Sequence, residues 1–376
     1  MRSLIMLGLL LAPGIAAADQ ETDAVECSSS ECKVGNITAE AKAQIEQQKD
    51  FEKLRIVFRR NTTNEQLASI TKLPWVTEVE VSSCKQLSSL APLGQLKKLR
   101  VLEAAYLPKL RSAPPLSATV EELDLGMNDE LTDVSALASL VKLKKLNFYG
   151  SRKVASIAAL KKLVALEQLS LYMLGAVKDF TPLKGLTNLR ELSLFGTQFP
   201  DTALLAGMTE LTELSLYGTK IESLEGLEGV PKLRLLSLER TNVASLDPIA
   251  GATGLYSLSF QHTKVTSLAP LAKLANLDNV SFYNTAVADL GPLAVATKLR
   301  HLSLSDTKVT TISPLAKLTR LEEVFIYNTG ITDLSPLLAS AKAKNLSRLE
   351  VHEDAKPASY AMLVKANRKL QVSPRD

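Results

Sequence analysis

The segment LTELSLYGTKIESLEGL occupies residues 211–227, LYSLSFQHTKVTSLAPL occupies residues 255–271, and LRHLSLSDTKVTTISPL occupies residues 299–315. All three fit one consensus, LxxLSLxxTxVxxLxPL. A fixed interval separates the leucines that open the copies of this region, which are 22 residues apart at Leu211, Leu233, Leu255, Leu277, Leu299 and Leu321. Self-similarity at this short period predicts a stack of structural repeats rather than several independent domains.

The repeat continues on both sides of this region with small changes in length. Earlier copies open at Val76, Leu99, Val120, Leu143, Leu166 and Leu189, and a last copy opens at Leu346. We therefore predict about thirteen units of 21–23 residues over residues 76–354.

The alternation inside each copy predicts one short strand per repeat. In Leu214-Ser215-Leu216 the leucines point inward and the serine points to the opposite face. Apolar residues further along the copy, such as Ile221 and Leu224, must return to the same interior. The expected fold is an α/β leucine-rich-repeat solenoid, a curved horseshoe with a parallel β-sheet on its concave side, whose repeats are stable only when neighbours cover them.

Proline marks the return path of many copies, at Pro182, Pro248, Pro270, Pro292 and Pro336. Proline is tolerated at the start of a helical turn, where its missing N–H costs no hydrogen bond. The preceding residue is a good N-cap in several copies, namely Thr181, Asp247, Ser313 and Ser335. We therefore predict short 3₁₀ or α turns on the convex side.

One polar position recurs among the apolar ones, directly after the strand. It holds Asn128, Thr197, Thr219, Thr241, Thr263, Thr285, Thr307 and Thr329. We expect these side chains to form an internal ladder that satisfies backbone amides of the turns, because buried polar groups are normally hydrogen-bonded.

Both ends of a solenoid need a cover for the apolar cross-section. Residues 19–75 form the predicted N-terminal segment and cap, with a helix at 39–51, a strand at 54–58, and a capping box at Thr63 and Gln66 that opens a helix through Leu73. Residues 355–376 form the predicted C-terminal cap. It contains an amphipathic helix over 357–370, with Tyr360, Leu363 and Leu370 available to cover the last repeat.

The first 18 residues have the pattern of a secretory signal peptide. Arg2 precedes an apolar stretch over residues 4–12, and Ala16-Ala17-Ala18 provides a cleavage site before Asp19. We expect an exported protein, periplasmic or secreted, without a membrane span. Cys27 and Cys32 are then predicted to form a disulfide, which such compartments permit, and Cys84 is predicted to be a buried structural thiol rather than a reactive one.

The 22-residue consensus with its proline-leucine return resembles the internalin-like subclass of bacterial leucine-rich-repeat proteins, whose unit reads LxxLxLxxNxIxDIxPL. The resemblance covers about three quarters of the chain and implies that the concave strand face binds proteins. The chain departs from that subclass where threonine replaces most of the ladder asparagines, and it has no recognisable cell-wall sorting motif. Host-cell invasion is therefore not inferred.

Three rows of side chains are expected on the concave face. The central row is serine, at Ser170, Ser193, Ser215, Ser237, Ser259, Ser281 and Ser303. The next row is largely aromatic and holds the predicted partner-binding residues Tyr149, Tyr172, Phe195, Tyr217, Glu239, Gln261, Tyr283 and Tyr327, with Ser305 between the last two. Exposed aromatic residues dominate interface hot spots, but a ladder of rings that only stabilises the sheet explains the same row.

The third row varies most, through Lys145, Gln168, Glu191, Glu213, Leu235, Ser257, Asn279, His301, Glu323 and Arg348. Such variation fits partner recognition, and it also fits a surface without a specific role. His262, His301 and His352 fall on the same face at about two strand spacings, too far apart to share a zinc ion. We therefore predict no metal site.

These observations predict a binding protein and not an enzyme. The chain has no nucleophile elbow, phosphate-binding loop or zinc-protease motif, so we expect no catalytic residues and no cofactor. With 44 basic and 40 acidic residues, the net charge of +4 gives no indication of nucleic-acid binding.

The leading hypothesis is an exported monomer that binds a protein ligand on its concave face. The alternative is an envelope-associated structural or glycan- and matrix-binding protein, whose aromatic rings would stack on sugars. A regulatory subunit of an intracellular enzyme fits the repeat class but conflicts with the signal peptide.

Overall fold

The structure is a computed structural model that describes residues 25–48, 50–352 and 357–375. The predicted signal peptide, residues 1–18, lies outside the described residues. Two compact units divide the chain, Met1–Gln198 and Phe199–Asp376.

The first unit contains nine strands within its described residues. They are β1 (Glu26–Cys27), β2 (Glu31–Val34), β3 (Arg55–Phe58), β4 (Glu78–Glu80), β5 (Val101–Glu103), β6 (Glu122–Asp124), β7 (Lys145–Asn147), β8 (Gln168–Ser170) and β9 (Glu191–Ser193). β1 and β2 form an antiparallel hairpin, and from β2 to β9 each strand pairs in parallel with the next.

The second unit continues the same pattern with eight strands in its described part. They are β10 (Glu213–Ser215), β11 (Leu235–Ser237), β12 (Ser257–Ser259), β13 (Asn279–Ser281), β14 (His301–Ser303), β15 (Glu323–Phe325), β16 (Arg348–His352) and β17 (Gln371–Arg375). All consecutive pairs from β10 to β17 are parallel. The register aligns equivalent residues, as where Leu214 lies opposite Leu236, so each row of the consensus becomes a row in space.

Short 3₁₀ helices return the chain between strands, as predicted. They are Phe51–Lys53, Ser69–Lys72, Ala91–Gln95, Ser135–Ser139, Ala158–Lys162, Thr181–Gly185, Thr202–Leu205, Leu227–Gly229, Asp247–Ile249, Ala269–Lys273, Gly291–Val295, Ser313–Leu315 and Ser335–Leu337. The α-helices of the described residues are α1 (Ala39–Glu46), α2 (Asn64–Ala68), α3 (Leu338–Lys342) and α4 (Pro357–Ala366).

The predicted N-caps of these turns are wrong by position. Thr181, Asp247, Ser313 and Ser335 are the first residues of their 3₁₀ helices, and the residues before them are apolar and provide no side-chain cap. The cap comes from two residues upstream instead. Asp333 Oδ1 accepts a hydrogen bond from the backbone N–H of Ser335 at 2.8 Å, and Ser245 Oγ accepts one from Asp247 at 3.0 Å. The apolar residue between them must enter the core, which moves the polar cap one residue further back.

The interior is filled by the repeated apolar positions. Ile221, Leu224 and Leu227 are buried, and the rings of Phe260 and Phe282 stack at 5.4 Å between centroids in neighbouring repeats. Burial of each such side chain contributes about 1.5–3 kcal/mol, and each is covered by residues of adjacent repeats. This arrangement confirms the predicted leucine-rich-repeat core.

The polar ladder is present, but its hydrogen bonds differ from the prediction. The hydroxyl of each ladder threonine donates to the carbonyl three residues earlier in its own repeat, at 2.7–2.8 Å. Ladder side chains of earlier repeats do span repeats: Ser151 Oγ accepts the N–H of Asn128 at 3.0 Å and donates to the carbonyl of Leu125 at 2.7 Å. Asn128 spans repeats in the same way. Its Oδ1 accepts the N–H of Leu107 at 2.7 Å, and its Nδ2 donates to the carbonyl of Ala104 at 2.9 Å.

The N-terminal cap region is more broken than predicted. The helix expected over residues 39–51 ends at Glu46, and Phe51 starts a separate 3₁₀ turn, where its ring packs edge-on against Trp75 at 4.8 Å. The capping box between Thr63 and Gln66 is confirmed, although the α-helix that it opens ends at Ala68 and continues as a 3₁₀ turn.

The C-terminal cap contains a strand that the sequence did not predict. α4 ends at Ala366 rather than Leu370, and β17 then pairs with β16. Pro374 is compatible with that strand because β17 is the last strand of this unit, where an N–H need not be donated. Leu363 and Leu370 are buried as expected, while Tyr360 is half-exposed.

Candidate binding site

The outward side chains of the strands form a continuous surface in each unit. We call this surface the open face. It consists of the first and third residues of each strand and the residue two positions further on, since side chains alternate along an extended chain. These three positions form a leading row, a central row and an aromatic row.

The aromatic row of the first unit is a stack of three rings. Tyr149 and Tyr172 lie 4.5 Å apart between centroids, and Tyr172 and Phe195 lie 4.2 Å apart with planes inclined by only 13°. Each ring is half-exposed. Stacking at this distance contributes to sheet stability, and the exposed edges still present apolar surface to a partner.

The same row in the second unit is interrupted by polar residues. Tyr217, Gln261, Tyr283 and Tyr327 are half-exposed, but Glu239 is buried, with 8% of its surface exposed. The predicted exposure of Glu239 is therefore wrong. Small serines around it allow its carboxylate to fold back onto the sheet instead of extending into solvent.

The Glu239 carboxyl has an unusual environment. Burial raises the pKa of Glu239, while hydrogen bonds with Ser237 and Ser259 act in the opposite direction. In the next repeat, Gln261 Oε1 and Ser257 Oγ are buried, and neither has a hydrogen-bond partner among the described residues.

The leading row is engaged in pairs between neighbouring strands. Lys145 Nζ lies 3.0 Å from Glu122 Oε1, and Gln168 Nε2 donates to Glu191 Oε1 at 2.8 Å. Ser257 and Asn279 of the same row are buried. Some of the variation along the leading row therefore reflects pairing between side chains of neighbouring strands. Fewer of these side chains extend into solvent than the sequence suggested.

Sequence reasoning missed an acidic segment in the central row. The serine row was read from Ser170 onward, but the equivalent positions of earlier repeats are Glu80, Glu103 and Asp124. Extending the repeat alignment to the first copies would have identified them. Arg55 on β3 lies beside this segment, with its Nη2 at 2.8 Å from Glu80 and 2.5 Å from Glu103.

Asp124 is the most enclosed of these carboxylates. Burial, with a smaller contribution from the negative charge of Glu103, raises the pKa of Asp124. Its Oδ1 accepts hydrogen bonds from the N–H of Gly126 at 2.7 Å and from Asn147 Nδ2 at 3.1 Å. These bonds hold the carboxylate beside Gly126, the aromatic-row position that precedes Tyr149.

The three histidines occupy different settings. His301 belongs to the leading row, with Nδ1 at 3.5 Å from Glu323, and His352 ends β16. His262 lies in the turn after the aromatic row, where its backbone is left-handed with φ 55° and its ring packs edge-on against Tyr283. Its ring therefore contacts the aromatic row from the turn. Among the described residues, no group of three His, Cys, Asp or Glu side chains could hold a metal ion.

The cysteines pair as the sequence predicts. Cys27 and Cys32 form a disulfide across the β1–β2 hairpin. Cys84 is a buried thiol outside the disulfide, and its Sγ lies 3.2 Å from the carbonyl oxygen of Arg59. It occupies the polar ladder position of its repeat.

The repeats match a known family model over part of the chain. Residues 297–339 match the model described as leucine-rich repeats in two copies. A search of curated protein sequences finds no significant match.

Solved structures resemble the chain over most of its length. An internalin of Listeria monocytogenes is 22% identical, with 84% of each chain covered and a TM-score of 0.66. A leucine-rich-repeat protein of Leptospira interrogans is 17% identical over 90% of this chain and 93% of its own, with a TM-score of 0.73. The chain contains leucine-rich repeats and has an internalin-like fold.

A more distant neighbour contains a bound ligand. It is a plant peptide hormone receptor in complex with RGF2, 12% identical to this leucine-rich-repeat protein, with 86% of this chain and 62% of the receptor covered and a TM-score of 0.60.

No helix among the described residues is long and apolar enough to cross a membrane.

Proposed function

We propose that this leucine-rich-repeat protein is an exported, non-enzymatic module that binds another protein through its open face, the face expected to be concave. The partner would contact the aromatic row. Residues assigned to this role are Tyr149, Tyr172, Phe195, Tyr217, Glu239, Gln261, Tyr283 and Tyr327, of which the buried Glu239 would act from beneath the surface.

The observation that carries the proposal is the stack of Tyr149, Tyr172 and Phe195. Three rings held in contact on a regular sheet lose little side-chain freedom when a partner binds, which lowers the entropic cost of association. All three side chains stay half-exposed. Preorganised aromatic surface of this kind is typical of interface hot spots.

Ring geometry also bears on the alternative of glycan binding. A sugar stacks on the face of a free aromatic ring, but both faces of Tyr172 are covered, by Tyr149 on one side and Phe195 on the other. The central ring of the stack is therefore closed to a sugar, which favours protein binding there over glycan binding.

Export is supported by two features. The sequence begins with a signal-like segment, and the Cys27–Cys32 disulfide is of a kind that persists in oxidising compartments. Non-enzymatic function is supported by the repeat architecture. We propose that the protein acts as a monomer.

The experiment is affinity capture with the purified full chain after export, using envelope and extracellular fractions as the source of partners. A Tyr149→Ala/Tyr172→Ala variant is compared with a Val141→Ala/Val164→Ala control, which removes exposed apolar surface outside the strands of the same unit. We expect the tyrosine variant to lose a captured protein that the control retains.

Thermal unfolding of all three proteins separates binding from folding. If the tyrosine variant unfolds at a much lower temperature and its folded fraction captures the partner normally, the rings stabilise the sheet and do not bind. Capture of purified polysaccharide in place of a protein would favour the glycan alternative.

A further inference from the structure

We propose that the open face of the first unit binds a basic segment of its protein partner, with an Arg or Lys side chain lying on the ring of Tyr149 and pairing with Asp124 and Glu103. This inference rests on the proposed function and specifies the chemistry of the partner. It concerns residues of β3 to β9 alone.

Charge on this surface is opposite to the charge of the chain. The full sequence has a net charge of +4, yet the open-face positions of β3 to β9 contain three basic residues, Arg55, Arg59 and Lys145, each paired with a glutamate. Six acidic residues occupy the same rows, namely Glu78, Glu80, Glu103, Glu122, Asp124 and Glu191. An acidic face on a basic protein is complementary to a basic partner and increases the rate at which the two meet.

The carboxylates lie directly beside the aromatic stack. Along the aromatic row, the residues that precede Tyr149 are Gly126 and Ala105, so the stack has no large side chain on that side of Tyr149. Asp124 is held next to Gly126 by the hydrogen bond from the glycine N–H. A planar cation above Gly126 would meet the ring of Tyr149 on one side and the carboxylates on the other.

The space above Gly126 depends on the absence of a side chain. A Cβ at this position would lie 3.1 Å from Asp124 Oδ1 and 3.3 Å from Asn147 Nδ2. A Cβ there would also lie 3.2 Å from the carbonyl oxygen of Tyr149, so a side chain at this position would crowd the carboxylate and the amide.

Arg55 shows how a guanidinium is held on this surface. Its Nη2 bridges Glu80 and Glu103 at 2.8 and 2.5 Å, and its side chain is 29% exposed. Coulombic attraction and hydrogen bonds from the two glutamates raise the pKa of Arg55 despite the opposing effect of burial. Arg55 is an internal competitor for a partner's cation, so its removal should strengthen binding.

The test uses a fluorescein-labelled twelve-residue peptide of alternating arginine and glycine, and the same peptide with citrulline in place of arginine. Binding to the full exported chain is followed by fluorescence anisotropy at low and moderate salt. Citrulline keeps the planar shape without the charge. We expect the arginine peptide to bind, with weaker binding at higher salt, and the citrulline peptide not to bind.

Four variants locate the site. Asp124→Asn with Glu103→Gln, and separately Tyr149→Ala, should each weaken binding by about tenfold, as expected for loss of a paired charge or a cation–π contact. Arg55→Gln should strengthen binding about threefold. Asp129→Asn with Glu130→Gln, a control outside the open-face rows with the same loss of charge, should leave binding unchanged.

The outcomes are distinguishable. Absence of arginine-peptide binding, or an equal loss in the acidic-face variant and its control, would overturn the proposal. Because Arg55→Gln is expected to strengthen peptide binding, a misfolded variant could not give the expected result. If the tyrosine variant loses its captured protein while the peptide results are negative, the proposed function stands and the basic partner is wrong.

Discussion

Asn128 accepts the backbone N–H of Leu107, one repeat earlier, through its side-chain oxygen at 2.7 Å. Its amide nitrogen donates to the carbonyls of Ala104 and Leu125 at 2.9 and 3.0 Å. A buried side chain with three such bonds connects two adjacent turns and leaves several backbone groups dependent on it.

We expect Asn128→Ala to destabilise the first unit by about 2–4 kcal/mol, because buried N–H and C=O groups lose their partners. Thr219→Ala is the matched comparison, since it removes one hydroxyl bond inside a single repeat and should cost about 1 kcal/mol. Urea unfolding midpoints would measure both. Equal midpoints for the two variants would contradict the greater importance of the bond between repeats.

Gly226→Ala should be strongly destabilising. Gly226 has a left-handed backbone with φ 97°, and an added Cβ would lie 2.8 Å from Ala203 Cα and 2.9 Å from the carbonyl oxygen of Thr202. Backbone strain and overlap together should cost about 2–4 kcal/mol. Gly185→Ala, where no atom lies within 4 Å of the added Cβ, should be neutral or slightly stabilising. Circular dichroism melts would separate the two variants.

Glu239 should make the second unit more stable in mild acid than at neutral pH. Burial raises the pKa of Glu239 above its ordinary value of 4.5, so its contribution is fully present below that value and is lost as pH rises through the higher folded-state pKa. We expect Glu239→Gln to raise the melting temperature at pH 8 and to flatten the change between pH 5 and pH 8, relative to the same scan of the unsubstituted protein. A parallel pH dependence in both proteins would show that another group titrates.

The aspartate caps should have the opposite pH dependence. Hydrogen bonds from the N–H and hydroxyl of Ser335 lower the pKa of Asp333 below its ordinary value of 3.8. Its stabilising effect is then present above that value and is lost as pH falls through the lower folded-state pKa. Asp333→Ala should therefore lower the melting temperature by a few degrees at pH 7 and much less near pH 2.5. An equal deficit at both pH values would point to lost packing instead.

The fold could be predicted from sequence because one physical pattern repeats. Each LxL segment predicts a strand and each proline-leucine return predicts a turn, so about thirteen copies independently predict the same strand-and-turn unit. The ends could not be predicted as well. β17 forms because β16 has backbone groups available for pairing. The segment QVSPR lacks the alternation of apolar and polar residues that would predict a strand.

The candidate site was predicted only where it follows the consensus. The aromatic row was visible as a column in the repeat alignment, but the acidic segment departs from that consensus at Glu80, Glu103 and Asp124 and was overlooked. Burial of Glu239 and the position of its carboxylate depend on which neighbours are small enough to admit it. The burial of Glu239 depends on packing between strands, which cannot be deduced from the positions that point outward.

The threonine ladder has a consequence for how this protein can change length. Because Thr241, Thr263 and Thr285 each bond to a carbonyl of their own repeat, a 22-residue segment there carries its complete turn with it. Duplication or deletion of such a segment would leave no ladder side chain without its acceptor. Around Asn128, by contrast, a change of one repeat would separate a side chain from the turn that it bonds, so genetic gain and loss of repeats should be tolerated in the later copies and resisted in the earlier ones.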